Sequence, residues 1–151
     1  MAALQLGCPG AQVRPEPGDC PAKAVDAMFN RAREDGLRLE HRDRFNVVVD
    51  KQQPGEGSDK GIYNDGPVTG VVRRSTKPES FPDGTLLSGY LWTGGEFFVG
   101  RYTEAHLPDG RTLPVCIELG KRGYGEKADG SKPGAVVFDR DFPGYAVERW
   151  H

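Results

Sequence analysis

Histidine and cysteine are scarce in this chain, with three of each among 151 residues. His41, His106 and His151 share no ligand spacing, and Cys8, Cys20 and Cys116 form neither a Cys-x-x-Cys pair nor a zinc pattern. Neither a metal centre nor a cofactor is expected. An excess of one charge is lacking too: 20 Lys and Arg stand against 22 Asp and Glu, leaving a net −2 and a pI near 5.9. Nothing in that balance draws the chain to DNA, RNA or an anionic membrane, so no nucleic-acid partner is expected. Mean hydropathy is −0.59, and no apolar run approaches the ~20 residues that cross a bilayer as a helix.

Glycine (21) and proline (12), by contrast, are abundant, and they punctuate the chain into short segments. Residues 1–20 carry Pro9, Pro15 and Pro17 with Gly7, Gly10 and Gly18 and read as a flexible tether. Residues 21–151 read as one domain. Pro21 suits a first helical turn, with Asp19 a nearby cap. Val25, Met28, Phe29 and Ala32 keep helical spacing up to Gly36, which predicts one helix over 21–35. Strand patterns follow. Leu37–Glu40 is weak and Phe45–Asp50 strong, then Val68–Arg74. Phe81-Pro82-Asp83-Gly84 and Leu107-Pro108-Asp109-Gly110 bracket three strands: Thr85–Trp92, Glu96–Leu107 and Arg111–Leu119. Ala135–Phe138 and Tyr145–Trp150 close the chain. Gln52–Gly66 and Lys121–Pro133 read as long loops. The expected fold is mainly β, an antiparallel meander forming a small barrel or sandwich with one N-terminal helix. Val47, Val49, Leu86, Val99, Val115, Ile117 and Val137 are the expected core.

The odd cysteine count leaves alternatives open. Leu4-Gln5-Leu6-Gly7-Cys8 ends like the tail of a bacterial lipoprotein signal, although Gln5 stands where such signals carry Leu. On that reading Cys8 is the lipidated residue and Cys20 and Cys116 remain to pair. The competing readings are an ordinary flexible start, a Cys8–Cys20 bridge with Cys116 buried, or three free thiols in the cytosol.

Catalytic patterns do not assemble. His41-Arg42-Asp43 spells the protein-kinase catalytic triplet and Asp141-Phe142-Pro143-Gly144 nearly spells the metal-binding one. The Asn required five residues past Asp43 is Val48, however, and no phosphate loop precedes it. Kinase activity is rejected on these residues. A Cys116–His106 nucleophile pair fails on register. A three-residue Pro108-Asp109-Gly110 loop sets His106 opposite Thr112 and Cys116 opposite Tyr102, about 13 Å apart at ~3.3 Å per residue. Glu96, Glu104 and Glu118 leave a carboxylate-based hydrolase as an alternative. Aromatics crowd the meander, and Trp92, Phe97, Phe98 and Tyr102 are the candidate partner contacts. Adjacent Phe97 and Phe98 must point to opposite faces.

The segments Asn64–Val72, Gly84–Gly94, Val99–Ala105 with Leu107–Arg111, and Pro114-Val115-Cys116 resemble an uncharacterised myxobacterial family whose members are labelled as serine/threonine protein kinases or occur joined to them. Cys8-Pro9-Gly10, Asp19-Cys20-Pro21 and Gly130–Ala135 carry the same likeness. The resemblance implies an accessory or sensor domain that travels with signalling kinases, or an envelope lipoprotein. The expectation is a non-catalytic binding or regulatory module, in the envelope or the cytoplasm, contacting a protein or envelope ligand. A small enzyme using carboxylates or Cys116, and a structural subunit of a secretion or envelope assembly, are the alternatives.

Overall fold

The computed structural model describes residues 14–50 and 59–151. Cys8 lies outside them. Six strands run in chain order around a closed barrel, each antiparallel to its neighbours: β2 (Arg44–Val49), β4 (Gly66–Arg73), β5 (Leu86–Trp92), β6 (Phe97–His106), β7 (Thr112–Leu119) and β10 (Asp141–Ala146). Closure comes from β5 pairing with β6 and β10 pairing with β2. The fold is therefore a mainly β barrel with one helix, α1 (Ala22–Phe29). Shorter strands sit outside the ring. β1 (Gly18–Asp19) pairs with β11 (Arg149–Trp150), β3 (Lys60–Tyr63) with β9 (Val136–Asp139), and β8 (Gly125–Glu126) extends from β6.

A ring of six strands is narrower than the eight-stranded barrels whose interiors side chains just fill. Alternation along β2 sends Phe45, Val47 and Val49 inward, all buried. Leu87, Leu91, Tyr102, Ile117 and Leu119 meet them. Space for the Tyr102 ring comes from Gly70, where a Cβ would stand 2.6 Å from the phenol oxygen and 2.4 Å from Val47 Cγ1. The phenol donates to Thr69 O at 3.0 Å. One end is plugged by aromatics: Phe138 stacks on Phe98 at 3.8 Å and on Tyr63 at 4.1 Å.

The helix is shorter than the 21–35 expected. Beyond Phe29 the residues are polar and Ala32 is exposed, so no apolar face remains to bury. Asn30 turns the chain back, and Leu37 N–H and Leu39 N–H donate to Ala27 O and Met28 O at 2.8 Å. Those donors tie 37–39 alongside the helix in place of the weak strand. Pro21 occupies the N-cap with no side-chain cap bond, so Asp19 does not serve there. Residues 14–20 lie against the barrel: Pro15 and Cys20 are buried, and Arg14 donates to His151 O at 3.2 Å. Five of the seven expected core positions are buried. Leu86 is 41% exposed, because Leu87 takes the inward place, and Val137 is half-buried between inward Val136 and Phe138.

Candidate functional site

The outer wall of β5, β6 and β7 holds the most built site. Along β6, inward Tyr102 is followed by two consecutive exposed residues, Thr103 and Glu104, and then by buried Ala105. Alternation permits this only at a bulge. The registers agree: Ser88 and Gly89 face Glu104 and Tyr102, and on the other side Glu104 and Tyr102 face Pro114 and Ile117. Thr103 has no register partner on either neighbouring strand. Across from the bulge, Gly89 comes so close that a Cβ would stand 1.9 Å from Arg101 O. Gly89 and the outward-stepping Thr103 line a cleft of about 480 Å³.

Arg101 lies in that cleft, only 7% exposed. Its guanidinium carbon lies 4.7 Å from the Trp150 ring centre and 5.9 Å from that of Trp92, a cation between two indoles. Tyr90, 41% exposed, packs on Trp92 at 4.7 Å. The guanidinium makes one hydrogen bond among the described residues, from Nη2 to Glu16 O at 3.0 Å. Nε is buried and unpartnered. Among the described residues, no carboxylate stands within ion-pair distance of it. Glu118, the register partner of Arg101, is committed elsewhere: buried to 1%, it accepts from His151 Nδ1 at 2.6 Å and His151 N–H at 3.2 Å, with Arg42 at 4.0 Å. Burial pushes the Arg101 guanidinium below its ordinary range; the Glu118 charge offsets this in part and nearby Arg14 adds to it.

A second depression continues over β7, lined by Pro21, Lys23, Thr112, Pro114 and Val115, and shares Thr103, Glu104 and Trp150 with the first. His106 lies along the same wall. Its Nε2 meets Glu104 Oε1 at 3.0 Å and Ser88 Oγ at 3.3 Å, while Nδ1 meets Thr112 Oγ1 at 3.2 Å. Glu104 and Ser88 thus share one ring nitrogen, so no Ser–His–carboxylate relay forms across the imidazole.

The sequence-predicted residues separate. Trp92 belongs to the cleft. Phe97 is half-buried against Tyr124 at 4.5 Å. Phe98 and Tyr102 are buried inside the barrel, where no partner reaches them. The bulge explains Tyr102: an extra residue on β7 sets it opposite Ile117 rather than Cys116 and turns it inward. Cys20 and Cys116 are joined, with Cα atoms 6.3 Å apart, within the ~7 Å that a disulfide spans without backbone movement. In that state Cys116 is no nucleophile. His41-Arg42-Asp43 forms a turn, with Asp43 Oδ2 accepting from Glu40 N–H at 2.8 Å, and Asp141-Phe142 opens β10. Arg101 and the bulge were missed, yet two signals were present: a lone arginine within Phe97–Tyr102, and the polar pair Thr103-Glu104 that breaks period two.

No family model, curated protein or solved structure matches this chain.

Proposed function

We propose that the chain is a non-catalytic binding module whose ligand lies along the outer wall of β5–β7, over the bulge and beside Trp150. The observation that carries this reading is Arg101, a desolvated cation beside two indoles in an open cleft, with donors left unused among the described residues. Binding sites join apolar walls to a few convergent polar groups in this way. The buried bridge between Cys20 and Cys116 supports work in an oxidising compartment, as an envelope lipoprotein or as the external accessory or sensor domain of a signalling kinase.

A displayed random-peptide library panned on the immobilised chain tests the module. Selected ligands are expected to weaken by about tenfold or more on Thr103→Arg, which fills the cleft, and on Tyr90→Ala. Lys132→Glu, in a separate depression with Asp65 and Lys127, is expected to leave them bound. Ligands indifferent to Thr103→Arg and Tyr90→Ala, or a selection that enriches nothing, would favour a structural subunit.

A further inference from the structure

We propose that the cleft captures the C-terminal carboxylate of an extended peptide, seated on Arg101, with the terminal side chain against Tyr90 and Trp92. This rests on the binding reading above and names its ligand. Two observations carry it, the state of Arg101 and the track that leads away from it. Arg101 is more than nine-tenths buried, lines the cleft and, among the described residues, bonds through Nη2 alone and keeps Nε unpartnered. A guanidinium offers five donors in a planar fork that suits a carboxylate, and burial raises the cost of leaving them idle. Of the charges nearby, Arg14 adds to the positive field, while the two carboxylates have other contacts, Glu118 with His151 and Arg42 and Glu104 with His106.

Length favours a peptide over a small acid. The two depressions meet at Thr103, Glu104 and Trp150, so the track continues past Arg101 toward Thr112 and Pro114. Midway stands Thr103, exposed on the outer face at the bulge. An extended main chain laid on that face offers amide and carbonyl groups to its hydroxyl, and carboxylate capture at its end is an established mode of peptide recognition.

Trp92 and Trp150 are the only tryptophans in the chain, so indole fluorescence reads the site directly. The full chain is titrated with an N-acetylated tripeptide ending in phenylalanine, with the same tripeptide as its C-terminal amide, and with glucuronate. The acid is expected to bind at least about tenfold more tightly than the amide, the charge-assisted share of the contact. Arg101→Lys, which keeps the charge and loses the fork, should erase most of that preference while thermal melting reports a folded protein. Should that variant fail to fold, the Arg101 side-chain NMR resonances of the unaltered protein decide, shifting with the acid and not with the amide. Equal binding of acid and amide overturns the carboxylate and leaves the binding module standing, as does a panned library whose groove-dependent ligands bind by internal sequence. Glucuronate binding tighter than the peptide acid overturns the peptide. No response to any probe overturns the inference, while the library selection still decides the module.

Discussion

Two glycines and two phenols show how single atoms set this fold's tolerances. Gly70 makes room for the Tyr102 ring, so Gly70→Ala should cost about 1–3 kcal/mol as an overpacked core, read as a lower urea midpoint with an unchanged m-value. Gly89→Ala should be worse, because the atom it meets is the backbone oxygen of Arg101 rather than a movable side chain. Burial raises the Tyr102 phenol above its ordinary range and pushes the Tyr63 phenol up to about 12. A phenol whose folded pKa exceeds its unfolded value near 10 lends stability that is fully present below pH ~10 and is lost as pH rises through the folded value. Stability should therefore fall from about pH 10 upward. Tyr63→Phe should flatten that fall across the window between 10 and 12, checked by urea melts at stepped pH. A profile identical to that of the unaltered protein would show that Tyr63 does not contribute.

Between elements, the helix is tied to the barrel through β7. Cys20 leads into α1, Cys116 lies on β7, and Met28 packs there, its Sδ 3.3 Å from Cys116 N. Replacing both cysteines by serine should cost about 2–5 kcal/mol, given the 96-residue separation that the bridge closes. Urea unfolding of the oxidised, reduced and double-serine proteins checks this, and coincident curves would assign the helix contact to packing alone. Ile117→Ala, at a fully buried inward position of β7, should cost about 2–5 kcal/mol. The strands and the Pro108-Asp109-Gly110 turn were legible because period and turn chemistry are local. The expected Leu107–Arg111 closure is present, with Leu107 N–H donating to Arg111 O at 2.8 Å, and His106 faces Thr112. Beyond that turn the register was readable only as far as Pro114. A bulge adds one residue without changing composition, and here it turns Tyr102, expected as a partner contact, inward and borders the cleft. The helix was overextended because Ala32 keeps the spacing of a buried residue where no surface waits for it. Arg101 was hidden for another reason: Trp92 comes from the neighbouring strand, but Trp150 and Glu16 lie far off along the chain and reach it beside the β1–β11 pairing, outside the ring.

At the scale of the whole molecule, closure removes the unpaired rims that open sheets present to one another. Growth by strand addition to the barrel therefore finds no template, and a ligand must use a face. Residence in an oxidising compartment has its own check: in protein exported to one, neither Cys20 nor Cys116 should take up a thiol label without reductant. Labelling of both would return the chain to a reducing compartment and remove the support for an envelope role. The pairing of Gly18 with Trp150 has a mechanical corollary. The first and last strands are antiparallel, so a pull on the two chain ends peels them apart residue by residue rather than shearing them together. Peeling soon reaches Cys20. From there the load passes through sulfur to Cys116 and bypasses the helix, β2 to β6 and most of the ring. A stretched oxidised molecule should therefore fall short of a reduced one by roughly 320–350 Å, the span of 96 positions at ~3.3–3.6 Å each. Held by its ends, the molecule would strip Trp150 and Glu16 from Arg101 first, while the elements between Cys20 and Cys116 are spared the direct load.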